Sequence, residues 1–532
     1  MALLTVTAVS AAERPNILII LADDLGYADV GCYGSEIATP NLDSLAESGV
    51  RFRQFYNCAR CCPTRAALVT GLHPHQAGVG NMNTDANLPG FRGWPQPNTV
   101  TIAEVLKSAG YHTSMVGKWH LSMNGKPPHP TDRGFDEFYG MIGGFNSCFD
   151  ETPHYSRLPA ERVKRVYKPN EFYSTAAFAD YSLDFLAEAR KAHKPFFQYL
   201  AFNAPHFPLQ ARPADIAKYK DVYSKGWDAI REERLTKQKK LGVIAESVAL
   251  TPRSPFTTRK DFHRTGDNPT WDTLESDRKA DLARRMAIFA AMVDSMDQAI
   301  GKVVKDLKDH GQFDNTLIVF LSDNGACAEW DPFGFDGSSG PKNILHTGDK
   351  LNSMGSASTY HSYGSGWANA GCTPFRQYKH YNHEGGIRTP CIVSWPQGVP
   401  AKGEFRDQVG HVIDLMSTCV DVGQAKYPAK FGEHAITPCE GISLKPAFAN
   451  DPLIRDHLGW EHELNKALRA GDWKLVAKAS QPWELYDMKA DPTEMVNMAT
   501  MDPQRVKDLS AKWDAWATRC HVLPHPAMKV KK

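Results

Sequence analysis

At 532 residues the chain is too long for one small core, and 42% hydrophobic with 23% charged residues is the balance of a packed globular protein, which excludes a disordered or fibrous one. Its 61 basic side chains face 60 acidic ones, so the net charge is close to zero. That excludes a broad basic surface for nucleic acid or anionic lipid, and any anion site must be local.

Residues Met1–Ala12 are apolar but fall short of the ~20 residues that a spanning helix needs, so no membrane span is expected. Val9, Ser10, Ala11 and Ala12 look like the small-residue end of a secretory signal whose basic start is missing. Residues 1–12 are therefore read as a signal remnant, and the protein as exported, periplasmic or secreted in the bacterial manner. The eleven cysteines lack metal-knuckle spacing, and an odd total leaves at least one unpaired in any intramolecular disulfide scheme.

Ile17–Leu21, His112–Val116, Phe196–Ala201, Thr316–Leu321 and Cys391–Ser394 are short apolar, β-branched or aromatic runs of the kind buried in a sheet. Between them, Leu42–Glu47, Val100–Ser108, Thr175–Ala192 and Leu282–Lys308 carry apolar residues at helical spacing. The alternation predicts an α/β fold over residues 13–423: a large, mostly parallel sheet sandwiched by helices. Asp331–Lys379, rich in Gly, Ser, Asn and Tyr and without clear periodicity, is expected to be a long functional loop that walls the site. Residues 424–532 read as a smaller C-terminal α+β subdomain, with Trp473–Val476 and Trp483–Tyr486 in a small antiparallel sheet and Pro503–Trp516 as a closing helix.

Open parallel sheets bind ligands beyond the carboxyl ends of their strands. Asp23 and Asp24 follow the first run, Lys118 and His120 the second, His206 the third, and Asp323 and Asn324 the fourth. The carboxylates and the amide are hard oxygen ligands, which select calcium or magnesium over zinc. Either pair alone could equally cap a following helix; two pairs at equivalent strand ends favour a metal. Cys61 and Pro63 precede a short helix, Ala66–Thr70, stopped by Gly71, so Cys61 falls at a helix N-terminus with Arg65 one turn on. Free amides and a cation there suit an activated nucleophile facing an anion, where a generic exported cysteine would be buried or disulfide-bonded.

Cys61-Cys62-Pro63-Thr64-Arg65, followed by Ala66-Ala67-Leu68-Val69-Thr70-Gly71, matches the pattern C-x-P-[ST]-R-x-x-x-x-T-G. On this run the chain resembles the formylglycine-dependent (type I) sulfatases. Arg14-Pro15-Asn16 through Asp23-Asp24-Leu25-Gly26, Gly117-Lys118-Trp119-His120, Ala204-Pro205-His206, Ser322-Asp323-Asn324-Gly325, and Lys379 before Glu384-Gly385-Gly386-Ile387-Arg388 are similar to the other blocks of that family, in its order. From Arg14 to beyond Trp473 the chain looks like a bacterial arylsulfatase.

The resemblance implies an alkaline-phosphatase-like fold and an arylsulfatase-type sulfuric ester hydrolase that releases inorganic sulfate from an aryl or carbohydrate sulfate. It implies that a formylglycine-generating maturation enzyme oxidises Cys61 to formylglycine. Asp23, Asp24, Asp323 and Asn324 would hold one Ca2+, with Mg2+ second, together with the modified residue 61. Lys118, His206 and Lys379 would contact the sulfate, and Arg65 would support the aldehyde hydrate. One hydroxyl of the hydrate would attack sulfur, with Asp323 accepting its proton, to give a sulfo-enzyme intermediate on residue 61. His206, beside Lys379, would protonate the departing oxygen because it titrates near neutrality. His120 would take the proton of the second hydroxyl, so that the aldehyde re-forms and expels sulfate.

His73, His75, His380 and His383 are expected behind the first layer of contacts or at the substrate rim, and Trp460, Glu461, His462 and Asn465 to border the leaving-group pocket. A phosphodiesterase or phosphonate monoester hydrolase of the same superfamily is the second reading. One carboxylate cluster with an oxidisable cysteine favours sulfate over such two-metal chemistry. A non-catalytic sulfated-glycan-binding protein is the third, and the complete set of reactive side chains argues against it.

Overall fold

The structure, a computed structural model, describes residues 14–122, 126–257 and 265–527; the expected signal remnant, residues 1–12, lies outside them. In chain order the strands are β1 (Asn16–Ala22), β2 (Val50–Tyr56), β3 (His112–Lys118), β4 (Glu137–Met141), β5 (Ser156–Leu158), β6 (Phe196–Ala201), a hairpin β7–β8 (Pro255–Thr257, Thr265–Asp267), β9 (Thr316–Ser322), β10 (Arg388–Ser394), β11 (Glu404–Arg406) and β12 (Gly410–His411). The large sheet is ordered β11-β2-β10-β9-β1-β6-β3-β4-β5, with β12 also on β2. All five runs expected as strands lie in it.

Its centre, β9-β1-β6-β3-β4, is parallel throughout. The expected parallel pattern breaks at β10, which is antiparallel to both β9 and β2. This has a consequence for the site. The start of β10, not its end, lies at the rim where the parallel strands finish, and so Lys379 and Glu384, which precede β10, arrive at that rim.

Period-two alternation divides β1 between two cores. Leu18, Ile20 and Ala22 pack with the helices Pro40–Ser48, Ser174–Lys191 and Ser276–Asp309. Ile17, Ile19 and Leu21 face the helices Cys61–Thr70, Ile102–Ser108 and Asp414–Val422. The sheet is therefore covered on both sides, the condition under which parallel strands read as unbroken apolar runs. The segment Asp331–Lys379 is not one loop: it contains the helices Gly348–Ser353 and Gly364–Gly371, and the second is wholly buried, with Trp367 inside the first core.

After a short ribbon, β13–β14 (Lys430–Phe431, His434–Ala435), four strands form an antiparallel meander: β15 (Leu458–His462), β16 (Asn465–Ala470), β17 (Trp473–Ala477) and β18 (Glu484–Asp487). Leu468, Leu475 and Leu485 pack against Leu509, Trp513 and Trp516 of the helix Pro503–Arg519. The other face, through Trp460, Ala467, Val476 and Tyr486, joins the second core of the large sheet. A buried Lys474, 2.7 Å from both Glu384 and Glu494, ties the two sheets together.

Gly117, in register with Ala201 on one side and Gly140 on the other, has φ +108°, and a Cβ there would lie 1.8 Å from the carbonyl oxygen of Ala201. Backbone strain and overpacking act together at this position, next to Lys118. Gly117→Ala is expected to cost about 2–5 kcal/mol, read as a lower urea midpoint than the parent; an unchanged midpoint would contradict this packing.

Candidate active site

Four strand ends and one helix end converge. Asp23 and Asp24 leave β1, Lys118 closes β3, His206 follows β6, Asp323 and Asn324 leave β9, and Cys61 opens the helix Cys61–Thr70. That helix is longer than expected: it begins at Cys61, behind an extended Arg60, and ends where Gly71 takes the left-handed conformation and its N–H bonds to the Ala67 carbonyl. Pro63 has no N–H and the Thr64 N–H bonds to the Arg60 carbonyl at 3.0 Å, which leaves the Cys61 and Cys62 amides as the free donors at the positive end of the helix. Asp24 and His120 are held at positive φ, 67° and 55°, each at the turn where its chain leaves the sheet.

Every expected site residue is at least nine-tenths buried, and they are joined by charge. The Lys118 ammonium donates to Asp23 Oδ2 at 2.6 Å. Arg65 donates through Nη2 and Nε to Asp323 Oδ2 at 2.7 and 3.0 Å, and through Nη1 to the Lys118 carbonyl at 2.7 Å. Lys379 lies 2.7 Å from Asp24 Oδ1, and Asn324 Nδ2 donates to the same oxygen at 2.7 Å. His206 Nε2 is 3.4 Å from Asp24 Oδ2, while its Nδ1 is 2.6 Å from the Phe207 carbonyl oxygen. Cys61, Cys62 and His120 bring their ligand atoms within 4.8 Å of one another.

Desolvation and charge compete at each group. Burial would raise Asp24, but Lys379, His206 and Lys118 outweigh it and hold the carboxyl down to about 2. Burial, helped by Asp23, pushes Asp323 up to about 7 in spite of Arg65. Burial likewise raises Asp23 against Lys118 and Arg65. The hydrogen bond from Cys62 lowers Cys61 well below the usual thiol range; burial opposes this and Lys118 and His120 assist it. His120 and His206 are both brought down to about 4, chiefly by burial. The expectation that His206 titrates near neutrality is not met in the free site, because burial outweighs the Asp24 charge.

The oxygen set fits a hard divalent cation. Asp23 Oδ1, 3.7 Å from Arg65 Nη2, and Asn324 Oδ1 are buried with no hydrogen-bond partner among the described residues. Such orphaned oxygens are costly unless something electropositive meets them.

Other expected positions divide. His380 is at the site mouth, where its backbone N–H donates to the Ala59 carbonyl at 2.9 Å. His73 packs edge-on against Trp516, His75 pairs with Glu461 at 2.8 Å, and His383 with Glu484 at 3.3 Å, so these serve the interior. Trp460 and Glu461, expected at a pocket edge, are buried: Trp460 Nε1 donates to the Asn57 carbonyl and Glu461 is clasped by His75 and His525. Asn465 donates to the carbonyls of His380 and His462. Glu329 was not anticipated. It is buried, 3.5 Å from Lys379, and accepts from Arg60 at 2.9 Å. It sits in an aperiodic stretch five residues after Asn324, and only the fold brings it to Lys379. All eleven cysteines are free thiols.

A rim of this kind can neutralise an anionic ester and press a hard cation against it, which defines a hydrolase of anionic esters; comparison with known proteins identifies the ester. The Sulfatase family model matches residues 15–425, and the model for the C-terminal region of N-sulphoglucosamine sulphohydrolase matches residues 376–515. An uncharacterized sulfatase of Schizosaccharomyces pombe is 33% identical over 97% of this chain and 95% of its own, and an arylsulfatase of Klebsiella aerogenes is 33% identical over 81% and 91%. The solved structure of Ps i-CgsB with k-i-k-neocarrahexaose is similar at TM-score 0.68 and 26% identity, covering 98% of this chain and 100% of that one. The chain belongs to the sulfatase family, the hydrolases of sulfate esters.

The Lys379–Asp24 pair generates a prediction. Removing one member of a buried pair leaves an uncompensated charge, so Lys379→Met in chelator is expected to cost about 3–5 kcal/mol. Asp24, depressed to about 2, contributes stability that is present above its ordinary value of 3.8 and is lost as pH falls toward about 2. Acid titration followed by circular dichroism should show that loss beginning at higher pH in Lys379→Met; superimposable curves would contradict the pairing.

Proposed function

We propose that the protein hydrolyses an aryl or carbohydrate sulfate with residue 61 as nucleophile, after Cys61 has been oxidised to formylglycine by a maturation enzyme. The observation that carries this reading is the placement of the signature Cys61, buried at a helix start, among Lys118, His120 and Arg65. Asp23, Asp24, Asp323 and Asn324 would hold calcium, the donors being all hard oxygen and two of them without a hydrogen-bond partner among the described residues. When bound, the cation and the aldehyde hydrate supply an acidified hydroxyl for attack on sulfur. Export, and processing of a signal before residue 13, belong to the same reading on the strength of the small-residue stretch Val9–Ala12.

The remaining work falls to side chains of this chain. Lys118 and Lys379 neutralise the sulfate oxygens, and Arg65 fixes Asp323 through two hydrogen bonds to Oδ2, while Oδ1 accepts from the Asp24 backbone N–H at 3.3 Å. His206 donates Nδ1–H to the Phe207 carbonyl, which leaves Nε2 to carry a proton towards the leaving oxygen. Free, it is neutral at pH 7; an anionic ester beside it favours the charged form, so binding of the substrate itself brings the acid into its working state. His120 is neutral and lies against Cys61, and its Nδ1 has no hydrogen-bond partner among the described residues, which leaves the ring free to take up a proton.

The substrate class takes support from the half-exposed Phe145, whose ring lies parallel to His206 at 6.0 Å and near Phe207 and Tyr360. These aromatics offer a face to an aryl or pyranose ring. The neighbouring structure named for a neocarrahexaose complex and the relative named N-acetylgalactosamine-6-sulfatase favour the sugar.

Calcium-loaded protein should release sulfate from para-nitrophenyl sulfate and from sulfated monosaccharides, and Cys61→Ala should reduce this to background. Turnover of para-nitrophenyl phosphate that exceeds sulfate turnover and survives Cys61→Ala would support the phosphoryl reading instead. His206→Ala should lower kcat by roughly 10²–10⁴-fold on a sugar sulfate and far less on para-nitrophenyl sulfate, whose leaving group needs no proton. Equal losses on both would remove His206 from the acid role.

A further inference from the structure

Beside the nucleophile, and outside the carboxylate cluster, a second group of ligating side chains has no part in the chemistry above. His380, His462 and Glu463 each present a ligand atom, all within 4.8 Å of one another. His462 and Glu463 lie at the turn between β15 and β16, whereas His380 follows Lys379 in the chain. His462 is fully buried, and neither of its ring nitrogens has a hydrogen-bond partner among the described residues. A buried imidazole with both nitrogens unmet is costly, and neutral imidazole is a ready metal ligand.

The distances suit a metal. His380 Nδ1 is 2.9 Å from Glu463 Oε2, and His462 Nε2 is 3.9 Å from Glu463 Oε1. Donor atoms at roughly 2.0–2.2 Å from one tetrahedral zinc stand about 3.3–3.5 Å apart; here the imidazoles lie against different oxygens of Glu463, and the three ligand atoms, all within 4.8 Å of one another, close on an ion by side-chain rotation. The outer contacts fit as well. With His380 Nδ1 on a metal, its Nε2 carries the proton and faces Glu329 Oε1 at 3.3 Å, the carboxylate support that metal-bound histidines commonly have. Arg60 Nη1 donates both to His380 Nε2 and to Glu329 Oε1, the latter at 2.9 Å; a metal at Nδ1, which moves the ring proton to Nε2, requires Arg60 to turn wholly onto Glu329. Lys379 is likewise engaged by Asp24 and Glu329. Burial keeps His462 down at about 4, so it is neutral under ordinary conditions. The side chain of Glu463 is 45% exposed, which leaves a way in for an ion and room for a water as fourth ligand.

We propose that His380, His462 and Glu463 form a binding site for a transition-metal ion of the zinc type, separate from the all-oxygen site at Asp23, Asp24, Asp323 and Asn324. Two imidazoles and one carboxylate select zinc or cobalt over calcium, while the oxygen site has the opposite preference. Bound there, the ion braces the β15–β16 turn against the segment that carries Lys379, and through the His380–Ala59 hydrogen bond it steadies the approach to residue 61.

The test is titration of the full chain with Co2+ in saturating Ca2+, followed by visible absorption, with Zn2+ as competitor. One Co2+ with the intense band of four-coordinate cobalt, displaced by Zn2+, is expected. Glu463→Gln, at a half-exposed position, should weaken binding by at least about 10–100-fold, the loss that even an outer-layer partner produces. Asp23→Asn should leave the cobalt band in place. Absence of the band in the parent protein, or equal Co2+ affinity in parent and Glu463→Gln, would overturn the proposal; a band lost in Asp23→Asn and kept in Glu463→Gln would assign the ion to the oxygen site instead. His462→Gln serves as a second ligand variant, judged by the same band once its circular dichroism matches the parent.

Discussion

Three buried carboxylates, Asp23, Asp24 and Asp323, are each set against a buried cation, Lys118, Lys379 and Arg65. None of these six could be placed there alone. A lone ion taken out of water costs several kcal/mol even after relaxation, and the mutual attraction offsets that only where geometry is good and hydrogen bonds satisfy the remaining lone pairs. The strand ends supply that geometry. β1 delivers Asp23 and Asp24, β3 delivers Lys118 and β9 delivers Asp323 at the same edge because their register is fixed by the parallel ladder. Neutrality within the cluster leaves it open to accept a divalent cation and an anionic ester together, two charges that offset one another as they enter.

The antiparallel strand β10 lets a sixth partner join. Its direction brings Lys379 to the same edge as residues that leave parallel strands, and Glu384, next to the start of β10, is held by Lys474 of the C-terminal sheet. The smaller sheet is thus not an appendage. Through Lys474, and through Asn465 on the carbonyl of His380, it fixes the segment that carries Lys379.

Much of this was legible in the sequence. β1 and β9 read as apolar runs because both their faces are covered, β3 and β6 admit Thr113, Ser114 and Gln198, and polar site residues stand shortly after each run, so position after a run was enough to find them. β2 was missed: Arg51, Arg53 and Gln54 interrupt it, as suits a strand whose side chains are partly exposed. The reversal of β10 was invisible because an apolar run carries no direction. Glu329 and the surroundings of His462 depend on contacts between segments far apart in the chain, and Trp460 and Glu461 looked exposed only because their partners, Asn57, His75 and His525, are equally remote. The low His206 value also required the fold, since burial sets it.

What remains is the chemical state of residue 61, on which the catalytic reading turns. Mass spectrometry of the tryptic peptide Cys61–Arg65, from protein matured in a competent host, measures it directly. The peptide is expected to be lighter than the cysteine form by exchange of hydrogen sulfide for oxygen, in a fraction that rises in step with sulfatase activity across preparations. Fully active protein in which the peptide keeps its unmodified thiol mass would contradict it.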